Sequence, residues 1–206
     1  MQEVEKYLTE PPTAALATKM PKAQLPEKLR SFIRRNVRKV GLAMAALLIF
    51  SLVFNVSFKA VFLVVLLIIA ASFSTFYFNY VSVPVNFELV KLATILTSVS
   101  HGWLAGLAVG MAATFFGKVL IGRVDEKLPM SMAVIALLAV AASLLSGVSI
   151  TLLGIALVLA YNMLMLVLSM MMGGDLAWNI PYEVSNFIFN LFIFTKIAPI
   201  LLHLMR

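Results

Sequence analysis

From Val40 to Met205 the chain is apolar almost without interruption, broken only by brief polar stretches. In hydrocarbon no water satisfies backbone N–H and C=O groups, and a helix satisfies them within its own segment. Each crossing takes roughly 20 residues. The run divides into apolar segments near 40–58, 60–80, 85–100, 102–122, 129–147, 149–172 and 180–204. Hydrophobic residues make up 62% of the chain and charged ones 12%, against about 45–50% and 25% in soluble domains. Lipid must cover such a surface. The expected fold is all-α: a polytopic transmembrane helical bundle of six or seven helices, multi-pass in the cell membrane.

The first 39 residues are polar. Residues 1–24, with Glu3, Glu5, Glu10 and the adjacent Pro11 and Pro12, read as a flexible tail. No apolar stretch of a cleavable leader stands there. Residues 25–39 read as a basic amphipathic interfacial helix. Leu25, Leu29, Phe32, Ile33, Val37 and Val40 recur at three- and four-residue steps, with Arg30, Arg34, Arg35, Arg38 and Lys39 on the other faces. Apolar residues on one side and cations on the other suit acyl chains and phosphates; docking to a partner protein is the alternative. Residues 40–206 form the transmembrane domain.

Nine Lys and Arg residues lie in the first 39 positions, so the positive-inside rule puts the N-terminus in the cytoplasm. The net charge of +7 reflects this cluster and implies anionic lipid rather than nucleic acid. The next basic loop holds Lys118, Arg123 and Lys127. If the segments between all cross, the turns near 79–86, 122–128 and 173–180 share one membrane face. The segment 85–100 is short and carries Glu88 and Lys91, so it crosses at a slant or forms a half-length or re-entrant helix. Three residues apart, Glu88 and Lys91 would share a helix face and pair.

Gly102, Gly106 and Gly110 fall at four-residue spacing, with Thr114 continuing the stripe. Small residues at this spacing let helix backbones approach closely, so a packing seam is expected. Two polar-aromatic clusters stand on the shared face. Asn79, Tyr80, Asn86 and Glu88 surround Pro84; Asp175, Trp178, Asn179 and Glu183 surround Gly173, Gly174 and Pro181. As plain interfacial residues they would be belt aromatics and caps, with Pro181 beginning the last helix. As a functional site, Asn86, Glu88, Asp175, Trp178, Asn179 and Glu183 would line a pocket for a small molecule. An acid within a membrane helix is expensive unless paired or hydrated, which favours a role for Glu88 and Glu183. Asn186 and Asn190, one turn apart, are placed to bridge helices, Asn162 and Tyr161 interrupt the helix at 149–172, and Pro199 bends or ends the last one.

The chain has no cysteine. Neither His101 nor His203 has a ligand-spaced partner, and no nucleophile elbow or phosphate loop is present. No catalytic residue, metal site or cofactor is therefore assigned.

Three stretches carry a family likeness: VSVPVNFELVKLATI (81–95), HGWLAGLAVGMAATFFGKVL (101–120) and LAWNIPYEVSNFIFNLF (176–192). Their proline and small-residue placement resembles the membrane-embedded substrate-binding (S) components of energy-coupling-factor transporters, and the similar-looking rod-shape protein MreD. The likeness implies a six-helix bundle from residue 60 onward, with the turns at 79–88, 122–128 and 173–183 forming an outward substrate site. The leading expectation is a non-enzymatic transport subunit that binds a small molecule and works with other membrane subunits. A structural scaffold within a larger membrane complex is the alternative, and a membrane-embedded lipid enzyme the third reading.

Overall fold

The computed structural model describes Ala45 and residues 57–80, 83–122, 124 and 127–206. The polar tail, the basic amphipathic segment with Arg30, Arg34, Arg35, Arg38 and Lys39, and most of the first apolar segment lie outside the described residues. Contacts divide the chain into Met1–Ala46 and Leu47–Arg206; the second unit holds everything below.

Among the described residues, seven α-helices and no strand build this unit: α1 Phe58–Phe73, α2 Val90–His101, α3 Trp103–Leu120, α4 Lys127–Leu144, α5 Ile150–Met171, α6 Leu176–Lys196 and α7 Ala198–Met205. A 3-10 turn, Phe76–Asn79, follows α1. Among the described residues, three helical stretches are long and apolar enough to cross a membrane: Phe58–Asn79, α3 and α5. The pair α6 and α7, bent by 53°, makes a fourth if taken as one span. Pro199, second residue of α7, accounts for the bend: it has no N–H to offer the carbonyl one turn back, and its ring crowds that carbonyl. The last apolar segment was expected to begin at Pro181. Instead α6 begins at Leu176, because the Asp175 carboxylate caps it by accepting from the Ala177 N–H at 2.9 Å, and Pro181 lies inside the helix. Tyr161 and Asn162 do not interrupt α5, which runs unbroken through them.

The bundle is apolar outside and polar within. Phe62, Leu66, Ile69 and Phe73 of α1 and Leu152, Leu159, Met163 and Val167 of α5 are exposed. Asn86, Lys91, Thr94, Thr97, Ser98, Asn162, Asn186 and Asn190 are buried. A water-soluble protein would aggregate through such a surface. A bilayer accepts it, and the chain is a membrane protein.

At the centre is α2, the least apolar of the long segments. It packs against α1, α3, α4, α5, α6 and α7, and every residue from Val90 to Ser98 is buried. Its twelve residues reach only about 18 Å, short of a hydrocarbon core of about 30 Å. The ends of α1 and α3 meet at one side of the bundle, where the Ser72 hydroxyl donates to the Ala113 carbonyl at 3.5 Å and Gly117 faces Ser72 and Thr75. The chain between them must therefore return through the bundle. It does so as α2 preceded by non-helical backbone at Val85–Leu89. The segment at 85–100 is thus a half-helix with an irregular lead-in.

Small residues make the close approaches. Gly106 lies against Ser98, and Gly110 against Thr94 of α2 and Ile135 of α4. A methyl group at either glycine would overlap those neighbours. Thr114 is buried on the same face. Gly102 is a correction to the expected seam: nothing lies within contact distance of an added Cβ there, and its φ of 87° makes it the turn between α2 and α3.

Candidate functional site

Irregular backbone inside a membrane bundle is tolerated only where its polar groups find partners. Hydroxyls from the flanking elements supply them. The Ser74 hydroxyl accepts from the Leu89 N–H at 3.0 Å and donates to the Ala71 carbonyl at 2.6 Å. Tyr77 accepts from the Phe87 N–H at 2.9 Å and donates to the Val85 carbonyl at 2.6 Å. Ser185 of α6 accepts from the Asn86 N–H at 3.0 Å and donates to the Tyr182 carbonyl at 2.9 Å. Each hydroxyl donates and accepts, so the lead-in is tied to α1 and α6 at once. Phe87 also packs edge-on against Phe189 of α6, with ring centres 5.3 Å apart.

This bracing holds Glu88 and Lys91 at the start of the half-helix. The Lys91 side chain is 1% exposed. Its ammonium donates to Asn186 Oδ1 at 2.8 Å, lies 3.4 Å from Glu88 Oε2 and sits over the Tyr161 ring at 4.5 Å from its centre. Glu88 Oε2 also accepts from Asn86 Nδ2 at 3.3 Å. The expected pairing of Glu88 with Lys91 is present, but not along one helix: Glu88 precedes the helix, whose N-cap is Leu89. Asn190 donates to the Asn186 carbonyl at 2.9 Å and to its Oδ1 at 3.2 Å, and Asn162 donates to the Glu183 carbonyl at 3.1 Å. Of the two asparagines expected to bridge helices, Asn186 does so through Lys91. Asn186 stands ten residues beyond the first residue of α6, about 15 Å along its axis, so the cluster lies about midway along that helix.

Two adjoining cavities surround the cluster. The outer one, about 360 Å³, takes in Thr75, Phe78, Val90, Ile121, Trp178 and Tyr182, with Glu88, Thr114 and Lys118 deeper in. Phe78, Ile121 and Trp178 stand at or beside the three turns expected to share a face, and all three meet here. Phe78 and Tyr182 stack with ring centres 5.9 Å apart. The inner cavity, about 80 Å³, is walled by Asn86, Glu88, Lys91, Ser131, Met165 and Glu183 among others. Glu88, Thr114, Lys118 and Tyr182 border both.

Of the six residues read as a binding site, Asn86, Glu88 and Glu183 line the inner cavity, and Glu88 and Trp178 the outer. Asp175 and Asn179 line neither. Asp175 is the α6 cap; Asn179 donates to Ser169 Oγ at 3.0 Å and fastens the α5–α6 turn. Lys91, Tyr161 and Tyr182 were not read as site residues, and Thr114 only as part of the packing stripe. The signal available for Lys91 was a cation inside an apolar segment, which is costly without a partner. Among the described residues no three His, Asp or Glu side chains gather in a metal-binding group. The arrangement can bind and orient a small polar group behind an aromatic vestibule. No family model, curated protein or solved structure matches the chain.

Proposed function

We propose that this chain is a membrane-embedded subunit that binds a small molecule for transport, comparable in role to the S components it resembles. The observation that carries the reading is the Glu88–Lys91–Asn186 cluster at the start of a half-helix, opening through an aromatic-walled cavity at one end of the bundle. Broken helices that present their ends to a mid-membrane cavity are a recurring way to bind solutes in transporters. Burying a cation, a carboxylate and several amides among lipid-facing helices is costly for a purely structural role, since small residues alone already pack α2 against α3.

The chain would work with other membrane subunits. Its N-terminus would be cytoplasmic, and if residues 40–58 cross, the cavity mouth faces the cytoplasm as well. A single cysteine at Val124, in a chain without cysteines, reports this: protection from an impermeant reagent in intact cells supports the cytoplasmic mouth, and labelling supports the opposite one.

Binding is tested by thermal unfolding of nanodisc-embedded protein against a library of small metabolites. At least one compound should raise the midpoint, and Glu88→Gln and Trp178→Ala should each remove that rise. A flat response together with stoichiometric co-purification of partners would instead establish the scaffold. Lipid turnover by the isolated protein would establish an enzyme.

A further inference from the structure

The inner cavity is balanced in charge but not in hydrogen bonds. Its wall holds two cations, Lys91 and Lys118, and two acids, Glu88 and Glu183. Lys91 pairs with Glu88 and also acts electrostatically on Glu183. A charged group entering here would gain from one pair of wall charges and lose to the other. The hydrogen bonds do not close in the same way. Among the described residues, Asn86 Oδ1, Thr114 Oγ1 and Glu183 Oε2 are buried with no hydrogen-bond partner, and all three residues line this space. Asn86 is 1% exposed and Thr114 7%. Tyr161 and Tyr182 border the cavity too, yet neither hydroxyl bonds to any of the three. Buried polar atoms in this state are unfavourable unless something in the cavity bonds to them.

We propose that the inner cavity receives a neutral primary carboxamide, carried on an apolar ring that lies in the outer cavity; this rests on the small-molecule reading above. The match is one of kind as well as number. Amide and carboxylate oxygens only accept, whereas a threonine hydroxyl both donates and accepts. A carboxamide brings N–H donors for Asn86 and Glu183 and a carbonyl for the Thr114 hydroxyl. An ammonium has no acceptor for that hydroxyl, a carboxylate has no donor for the other two, and an alcohol has a single donor. Size agrees. About 80 Å³ is the share of two or three waters at about 30 Å³ each, close to the bulk of a carboxamide's carbon, oxygen and nitrogen. Waters held there are displaced at little loss by a group that repeats their bonds. The outer cavity takes the ring: Phe78, Trp178 and Tyr182 offer aromatic faces, and Val90, Ala113 and Ile121 offer aliphatic ones.

Four probes sharing one phenyl ring test this: phenylacetamide, N,N-dimethylphenylacetamide, phenylacetate and 2-phenylethylammonium, each applied to the full chain in nanodiscs with thermal unfolding as the readout. Only phenylacetamide should raise the midpoint. The dimethyl amide keeps the carbonyl and lacks the donors, so it separates hydrogen bonding from polarity. The apparent Kd of phenylacetamide should weaken by about tenfold in Thr114→Val, which keeps the shape of the side chain and removes its hydroxyl. Glu183→Gln leaves two wall cations against one acid, so phenylacetate should begin to stabilise that variant. Asp175→Asn, altering the cap of α6, should leave the Kd of phenylacetamide unchanged. If Glu183→Gln fails to fold, Thr114→Val alone decides. Stabilisation by the dimethyl amide, the acid or the ammonium equal to that by phenylacetamide overturns the inference but leaves the small-molecule site standing. A phenylacetamide effect that Thr114→Val does not weaken is partition into lipid or binding elsewhere, and overturns it too. So does a folded Glu183→Gln that ignores phenylacetate, because the charge balance then fails. Silence from all four probes overturns this inference, and the metabolite library then decides the parent reading by itself.

Discussion

Replacing Lys91 by methionine keeps an unbranched side chain, one atom shorter, and removes its charge. In the folded protein Lys91 contacts Asn186 Oδ1, Glu88 Oε2 and the Tyr161 ring, so Lys91→Met leaves a carboxylate without its cation, while Asn186 Oδ1 keeps the bond from Asn190. Breaking a buried ion pair from one side costs about 3–5 kcal/mol. Glu88 keeps its bond from Asn86 and its side chain is 16% exposed, which places the expected cost near the lower end, at about 3 kcal/mol. Glu88→Gln leaves a buried ammonium with amide acceptors and no opposite charge beside it, and should cost a similar amount. The double variant leaves no charge behind. It should therefore be more stable than the two single losses added together, with a coupling of about 2 kcal/mol. Reversible unfolding in mixed micelles titrated with a denaturing detergent measures all four free energies. A Lys91→Met cost below about 1 kcal/mol, or losses that simply add, would refute the claim that this pair organises the core.

Three other outcomes follow from the packing. Gly106→Leu, which drives a side chain into Ser98, should destabilise by at least the 1–3 kcal/mol typical of overpacking; an unchanged unfolding midpoint would show that α2 and α3 are further apart than described. Asp175→Ala removes the carboxylate that caps α6 and should cost about 1 kcal/mol in the same unfolding assay, with no change in ligand response. Pro199→Ala should relax the 53° bend between α6 and α7, read as a longer distance between spin labels placed at the exposed positions Val184 and Leu204; an unaltered distance would assign the bend to packing rather than to proline.

The spans were legible because apolar runs bounded by turn residues carry their own lengths. Phe58–Phe73, Trp103–Leu120 and Ile150–Met171 fall close to the segments drawn from hydropathy. The break at Pro199 was legible for a local reason, the missing N–H. The half-helix was less so. Lys91, Thr94, Thr97 and Ser98 lower its hydropathy, and hydropathy alone does not distinguish a weak span from a strongly buried one. In the site, Glu88 and Lys91 were visible as near neighbours. Asn186 meets Lys91 across 95 positions, and only the folded bundle makes that meeting. Asp175 and Asn179 illustrate the converse: polar residues close in sequence to Trp178 and Glu183 that serve the turn instead. Gly102 shows that spacing does not separate a glycine required for contact from one required for a positive φ.

The 95-residue separation between Lys91 and Asn186 has a consequence for biogenesis. Lys91 enters the protein-conducting channel early, and a lysine within an inserting apolar segment disfavours release into lipid. Its partners on α5 and α6 have not yet been translated. At about 5–20 residues per second the ribosome needs roughly 5–20 s to supply them. The half-helix must wait through that interval in the channel or against an insertase, and a chain truncated after α4 would carry an unsheltered cation that membrane quality control can recognise.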